Sequence, residues 1–240
     1  MNLLETRPLL IFGAHPDDIE FGCGGIVARE TSNGREAHFV VSSLGEAGTH
    51  GTPEQRASET KAAASILGAT IEFIELDGDG KLEIRAEHAL KLAKIIRRIR
   101  PATILAPSVV ENQHPDHSRL GKLVRDAARL ARYGGLKELL DEKSHAIEQL
   151  FFYAVTPEGE PHDITPLLID VSLPKTISAW TAAMNAHTSQ ASTRNYVDLQ
   201  LTRARVFGAR AGIEYAIALF PNEPLVFESL AQTGRGARNF

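Results

Sequence analysis

Four short apolar runs, each followed by a helical pattern, alternate at intervals of about 30 residues in the first half of the chain. The runs begin at Leu9, Ala37, Ile71 and Thr103. Unbroken apolar runs of this length are typical of strands buried on both faces of a parallel sheet. Because parallel neighbours need right-handed crossovers, the alternation predicts an α/β fold: a Rossmann-like open, mostly parallel sheet with helices on both faces.

The second half of the chain is less regular. Its patterns predict two more strands and two more helices, at 150–155, 167–171, 175–187 and 197–212. No repeat, linker or low-complexity tract separates the two halves. We therefore expect a single domain over 1–240, in which 1–132 form the βα core and 133–240 add substrate-side elements.

Composition excludes several classes of partner and location. The 240 residues carry 26 Lys and Arg against 30 Asp and Glu, a formal net charge of −4. The longest basic block is Arg97-Arg98 with Arg100 nearby, and so short a block does not predict nucleic acid as a partner. These arginines are expected to complement the negative end of their helix. No apolar run is long enough for a membrane span, and the first residues lack the apolar region of a secretory signal. With Cys23 as the single cysteine, a cytoplasmic location is expected.

Two clusters of His and Asp follow the first and fourth strands. One is His15-Pro16-Asp17-Asp18 and the other is His114-Pro115-Asp116-His117. Ligands of open parallel sheets bind outside the carboxyl ends of the strands, so the two clusters are expected to meet. Imidazoles and carboxylates are the ligands of catalytic zinc, and a bound cation also relieves the repulsion among several carboxylates in one cleft.

Two other interpretations of these clusters stay open on the residues alone. The same kind of sheet carries nucleotide-binding oxidoreductases, although the glycines of Gly22-Cys23-Gly24-Gly25 do not follow the strand directly as a phosphate-binding turn requires. The other alternative is a metal-binding module that recognises sugars without turnover. Asp77-Gly78-Asp79-Gly80 is interpreted as an ordinary turn whose acidic side chains lie at the border of the cleft.

At these clusters the sequence resembles the PIG-L/LmbE family of zinc-dependent N-acetylglucosaminyl deacetylases. The family signature is an Ala-His-Pro-Asp-Asp segment after the first strand, here Ala14 to Asp18, and a later His-Pro-Asp-His segment, here His114 to His117. The similarity extends through most of the chain, including 45–48, 51–54, 186–190 and 212–216. Residues 97–101 and 170–172 most resemble the bacillithiol-biosynthesis N-acetylglucosaminyl-malate deacetylases.

The resemblance implies a metal centre and two substrate contacts. His15, Asp18 and His117 would ligate Zn²⁺, with Fe²⁺ as an alternative divalent cation. Arg56 matches a family position that helps to hold the substrate, and His187, in a Ser-Gln context, is a second candidate contact. The family also implies a homo-oligomer.

The resemblance further implies a division of labour among catalytic residues. Asp17 would be the general base, while His114 would face the developing oxyanion or protonate the leaving amine, supported by Asp116. Ile217 stands where relatives commonly have Glu, so this chain departs from the family pattern by lacking a polar side chain at that helix position. The implied activity is removal of the N-acetyl group from an N-acetylglucosamine (GlcNAc) conjugate, with GlcNAc-malate preferred and chitobiose and GlcNAc-inositol as alternatives.

Overall fold

The computed structural model describes residues 7–111, 114–192 and 195–237. Its strands are β1 Leu9–Gly13, β2 Ala37–Val41, β3 Thr70–Phe73, β4 Thr103–Pro107, β5 Gln149–Tyr153, β6 Leu167–Asp170 and β7 Ala216–Pro221. Its helices are α1 Asp18–Ser32, α2 Pro53–Ile66, α3 Ala86–Ile99, α4 Pro115–Ala131, α5 Pro174–Ala186, α6 Thr188–Ala191 and α7 Tyr196–Ala211. None of these described helices combines the length and the apolar character needed to cross a bilayer.

The strands form one seven-stranded sheet in the order β3-β2-β1-β4-β5-β7-β6. β1 to β5 pair in parallel, and the pairs that involve β7 are antiparallel. The predicted α/β class and mostly parallel sheet are confirmed. Strand order changes direction beside β1, where β2 lies on one side and β4 on the other, and this is where open sheets bind ligands.

Alternate residues of the strands supply two separate cores, one on each face of the sheet. Leu10 and Phe12 pack in one core with α3 and α4. Leu9 and Ile11 pack in the other with α1, α2 and α5. The period of two along β1 therefore buries both faces of the strand, which is why its sequence is unbroken and apolar.

The structure contains one strand that the sequence analysis did not predict. β7 runs between β5 and β6, antiparallel to both. Ile217, which the resemblance assigned to a helix, lies in this strand and is buried. A Cβ added at Gly25 of α1 would be 2.8 Å from Cδ1 of Ile217, so this side chain packs closely against α1. Ile217 therefore has a packing role here.

Replacing Gly121 by Ala is expected to destabilise the protein by about 2 kcal/mol, because a close backbone approach leaves no room for a methyl group. Gly121 lies within α4, and a Cβ there would be 2.2 Å from the carbonyl oxygen of Pro107 at the end of β4. Urea denaturation measures the free energy of unfolding. Gly134→Ala is the matched control, since a Cβ at Gly134 meets nothing within 4 Å. Equal stability of the two variants would contradict this packing.

Candidate active site

The two His/Asp clusters meet at the carboxyl ends of β1 and β4. These strands pair in parallel, with Leu9 opposite Thr103, so the loops that follow them leave the sheet at the same edge. The ring centroid of His15 lies 4.2 Å from that of His114 and 5.3 Å from that of His117. The prediction that the two loops converge is confirmed.

Asp18, the first residue of α1, links the two loops. Its Oδ2 accepts hydrogen bonds from the backbone N–H groups of Ala14 and His15, each at 2.9 Å, and its Oδ1 lies 3.0 Å from Nε2 of His117. Burial alone would raise the pKa of this carboxyl, but the imidazoles of His117 and His15 outweigh it and hold the pKa of Asp18 well below its usual range. Asp18 is therefore a carboxylate in contact with both imidazoles.

Asp17 has a backbone conformation that few residues other than glycine tolerate. Its φ is 106°, immediately before the first residue of α1. Its side chain lines the cleft, with Oδ2 3.5 Å from Nη2 of Arg56. Burial, with the negative charge of Asp18, raises the pKa of Asp17 to about 6. Backbone strain and a pKa moved toward neutrality both occur frequently at catalytic sites.

Arg56 is buried on α2 and ties two loops of the cleft together. Its Nη1 donates to the carbonyl of Gly45 at 2.8 Å, and its Nη2 donates to the carbonyl of Pro16 at 3.0 Å. A Cβ at Gly45 would lie 2.2 Å from this guanidinium, and Gly45 also has a positive φ of 68°. Glycine is required there for both reasons, and the loop closes around Arg56.

Two further carboxylates contact His15. Oδ1 of Asp79 lies 3.2 Å from Nε2 of His15 and 3.6 Å from Nε2 of His114. Oδ2 of Asp116 lies 3.4 Å from Nε2 of His15 and accepts a hydrogen bond from the backbone of Gly80 at 2.7 Å. Burial would raise the pKa of Asp79, but His114 and His15 hold it far below its usual range.

The donor atoms of this cluster are suited to a divalent cation. One nitrogen from each of His15, His114 and His117 lies within 4.8 Å of the others, and the same spacing holds among donors of His15, Asp79, His114 and Asp116. Imidazole nitrogens beside carboxylate oxygens are the donor set of zinc. Two of the predicted ligands, His15 and His117, share a group, and the third, Asp18, contacts both.

The cluster forms one side of a cleft of about 490 Å³, a size usual for small-molecule sites. Other parts of the cleft are aromatic or carry uncharged amides. The rings of Phe21 and Tyr196 lie 5.6 Å apart, and Gln190 and Gln200 line the same space. The aromatic and amide side chains can contact a polar ring. The acidic, imidazole-rich side can contact a reactive group attached to that ring.

Comparisons with known proteins agree with this geometry. Residues 10–128 match the PIG-L family, described as GlcNAc-PI de-N-acetylase. The conserved protein TT1542 of Thermus thermophilus has 32% sequence identity and a TM-score of 0.83 over 96% of this chain and 100% of its own. The chain belongs to the PIG-L family. The sequence resemblance is thereby confirmed.

Curated relatives of this PIG-L chain differ in the chemistry that their names describe. The 4-oxalmesaconate hydratase of Pseudomonas putida is 29% identical over 143 residues, which cover 55% of this chain and 55% of the relative. The diacetylchitobiose deacetylase of Thermococcus kodakarensis is 28% identical over 162 residues, 62% of this chain and 60% of the relative. The chain thus spans little more than half the length of either relative.

All of the predicted site residues except one come together in this cluster and cleft: His15, Asp17, Asp18, Arg56, His114, Asp116 and His117. His187 is the exception. Its side chain is 1% exposed, with Nε2 3.4 Å from Oε2 of the equally buried Glu20. It does not line the cleft. The imidazole of His187 is therefore directed at Glu20, and contact between His187 and substrate stays a prediction.

Sequence reasoning did not single out Asp79 or Gln190 as site residues. Asp79 belongs to the turn 77–80, interpreted as ordinary, yet its carboxylate contacts two imidazoles of the centre. An acidic turn in the segment after β3, a strand of the same sheet, was the signal that could have found it. Gln190 lies in the segment 186–190 that resembles the family, in which His187 was predicted as the substrate contact instead.

Proposed function

We propose that this chain is a zinc-dependent amidohydrolase that removes the N-acetyl group from a GlcNAc conjugate. The observation that supports it is the convergence of the PIG-L motif residues in one cleft, where Asp17 lies beside a cluster of imidazoles. His15, Asp18 and His117 would hold the ion. When bound, zinc supplies Lewis-acid polarisation and lowers the pKa of water from 15.7 to about 7.

The residues of the chain supply proton transfer and charge stabilisation. Asp17 takes the proton of the water that attacks the acetyl carbonyl, consistent with a buried carboxyl that is not among the proposed ligands. His114 stabilises the developing oxyanion, a contribution of about 3–4 kcal/mol for such a donor, or protonates the leaving amine. Asp79, 3.6 Å from Nε2 of His114, orients that ring together with Asp116, the predicted support of His114, which also lies 3.4 Å from Nε2 of His15.

The preferred substrate is GlcNAc-malate, on the sequence resemblance to the bacillithiol-pathway enzymes. Chitobiose and GlcNAc-inositol are the alternatives within the same reaction class. A cleft of about 490 Å³ accommodates a sugar ring with a small aglycone. Cytoplasmic location and homo-oligomeric assembly stay predictions of the sequence.

Removal of the metal is expected to abolish deacetylation, because unassisted water is a weak nucleophile toward an amide. Protein treated with a chelator and desalted should release free amine at least about 100-fold more slowly, and added Zn²⁺ should restore the rate. The assay measures free amine from GlcNAc-malate, GlcNAc and diacetylchitobiose, with metal content determined in parallel. Unchanged turnover by metal-free protein would contradict zinc dependence, and no amine from any conjugate would contradict the deacetylase proposal.

A hydratase is the second candidate function, favoured by the similarity to the Pseudomonas putida enzyme. Addition of water to a double bond also needs a base such as Asp17 in a metal-binding cleft, so the residues alone fit both reactions. Incubation with 4-oxalmesaconate distinguishes them, because hydration removes the conjugated chromophore without releasing an amine. Loss of absorbance without amine release from GlcNAc conjugates would favour the hydratase.

The oxidoreductase alternative has no support in the loop after β1. A dinucleotide pyrophosphate binds to backbone N–H groups at this position of a Rossmann-type sheet. Here the N–H groups of Ala14 and His15 already donate to Oδ2 of Asp18, and the carboxylates of Asp17 and Asp18 would repel phosphate.

A further inference from the structure

One wall of the cleft consists of two segments in mutual contact, the loop 45–51 and the turn 187–191, here called the rim. Gln190 of the turn lines the cleft together with Gly48 and Thr49 of the loop. Nε2 of Gln190 donates to the carbonyl of His50 at 3.0 Å, which joins the two segments. The rim is therefore a continuous surface that a substrate in the cleft would meet.

The two segments also approach each other closely at Gly51. This glycine has a φ of 79°, and a Cβ there would lie 2.7 Å from Cβ of Ser189. The loop therefore depends on the position of the turn, since Ser189 lies directly against its backbone.

Glu59, on α2 and 8% exposed, holds the turn in that position. Its Oε1 accepts hydrogen bonds from Oγ1 of Thr188 at 2.6 Å and from the backbone N–H of Ser189 at 3.0 Å. Its Oε2 accepts from Oγ of Ser189 at 2.6 Å. Gln55, one helical turn earlier, donates to Oε1 at 3.0 Å and fixes the carboxylate.

Apart from the contact of His187 with Glu20 at its start, the turn has little support of its own. α6 contains only four residues, and its N-cap residue, His187, makes no side-chain capping hydrogen bond. So short a helix is not stable without outside contacts. Burial would raise the pKa of Glu59, but the hydrogen bonds from Ser189 and Thr188 outweigh it and keep the pKa below its usual value. The acceptor is thus a carboxylate, which strengthens each bond.

The loop of the rim contacts the chemical centre directly. The carbonyl of Gly45 accepts from Arg56, and the backbone N–H of Ala47 donates to Oδ2 of Asp79 at 3.2 Å. Arg56 and Asp79 thus hold the first part of the loop, so loss of the clamp is expected to move mainly its substrate-facing part at Gly48 and Thr49.

We propose that Glu59 is a positioning residue that clamps the turn 187–191 against the loop 45–51 and thereby sets the affinity of the cleft for its substrate. The substrate affinity rests on the proposed function, whereas the clamp is a property of the folded chain alone. Glu59 acts through the rim and does not contact the substrate itself.

Hydrogen exchange tests the clamp without any assay of activity. In Glu59→Gln the amide keeps the size of the side chain but removes the charge and directs an N–H₂ group at a donor. Backbone amides of 45–51 and 187–191 are expected to exchange about tenfold faster, with α3 and α4 unchanged. Unchanged exchange in both segments would overturn the proposal whatever the activity. Ser189→Ala, which removes a single bond to Glu59, should shift exchange in the same direction and serves if Glu59→Gln does not fold.

Kinetics test the effect on substrate affinity. Glu59→Gln is expected to raise KM for the GlcNAc conjugate by about tenfold, with kcat and zinc content within about threefold of wild type. If Glu59 acts through Gln190, the double variant Glu59→Gln/Gln190→Ala should have a KM close to that of Gln190→Ala alone. Glu54→Gln, an exposed Glu on the same helix, is the control and should match wild type.

The outcomes separate the two proposals. No turnover by the wild-type protein contradicts the proposed function and leaves the exchange experiment decisive for the clamp. Faster exchange with an unchanged KM overturns the role of Glu59 in affinity while the function stands. Fully additive effects of the Glu59 and Gln190 substitutions would show that Glu59 does not act through Gln190, and would overturn the proposed route.

Discussion

Asp17→Asn is expected to lose a factor of at least about 10² in kcat while it retains its metal. Asn is nearly isosteric with Asp, and it is among the few residues that adopt a positive φ readily. The φ of 106° at this position is therefore compatible with the substitution, and α1 should begin as before. What the variant removes is the group that accepts the proton of water.

The experiment needs kcat, zinc content and thermal stability for the same preparation. Asp126→Asn, an exposed substitution on α4, is the control and should match wild type in all three. A variant with normal zinc content and normal turnover would show that Asp17 is not the base, and Asp79 would become the carboxylate to test next. Loss of zinc with loss of activity would instead place Asp17 among the residues that hold the ion.

The parallel part of the fold was predictable because a strand buried on both faces needs an unbroken apolar run, and such runs are easily recognised in the sequence. The apolar run that begins at Ala37 was predicted as a strand, and the structure has β2 over Ala37–Val41. β7 was not predicted, although Ala216 to Phe220 is also an apolar run. It follows a helix directly and enters the sheet antiparallel between two earlier strands, an order that the alternation of strands and helices does not encode.

The site was predictable where the ligand-binding rule for parallel sheets applies, and less so elsewhere. His15 and His117 lie next to the carboxyl ends of adjacent strands, so their convergence follows from topology. Asp79 reaches the same point from a turn whose course is set by hydrogen bonds to Glu46 and Asp116, which no local pattern reveals. For His187 the difference was one of side-chain direction. Its imidazole is buried against Glu20, and Gln190, three positions later, lines the cleft.

Arg97 is a second residue whose side-chain direction the sequence did not reveal, and in this case the direction affects the stability of the protein. The sequence analysis assigned the basic group at the end of α3 to the helix terminus. In the structure Arg97 is 2% exposed, and its guanidinium donates to backbone carbonyls at the end of α4 and beyond it. Nε donates to Ala131 at 2.9 Å and Nη1 to Glu142 at 2.9 Å, with further bonds to Tyr133 and Leu139. The segment has little regular structure of its own. The guanidinium of Arg97 therefore donates hydrogen bonds to carbonyls that would otherwise be paired within secondary structure.

Arg97→Met is expected to reduce the free energy of unfolding by about 4 kcal/mol. Methionine preserves most of the buried volume, so the loss comes mainly from the backbone carbonyls of 131–142 that no longer receive a hydrogen bond from a charged donor. Denaturant titration measures the loss, and hydrogen exchange should show it first in 131–142.

Arg98→Met is the matched control: Arg98 is half exposed on the same helix and forms an ion pair with Glu72, so its loss should stay within about 1 kcal/mol. Equal effects of the two substitutions would mean that the buried guanidinium contributes no more than a surface ion pair. Since Arg97 does not line the cleft, the folded fraction of Arg97→Met should keep the KM of the wild-type protein, which separates the support of this segment from the chemistry of the site.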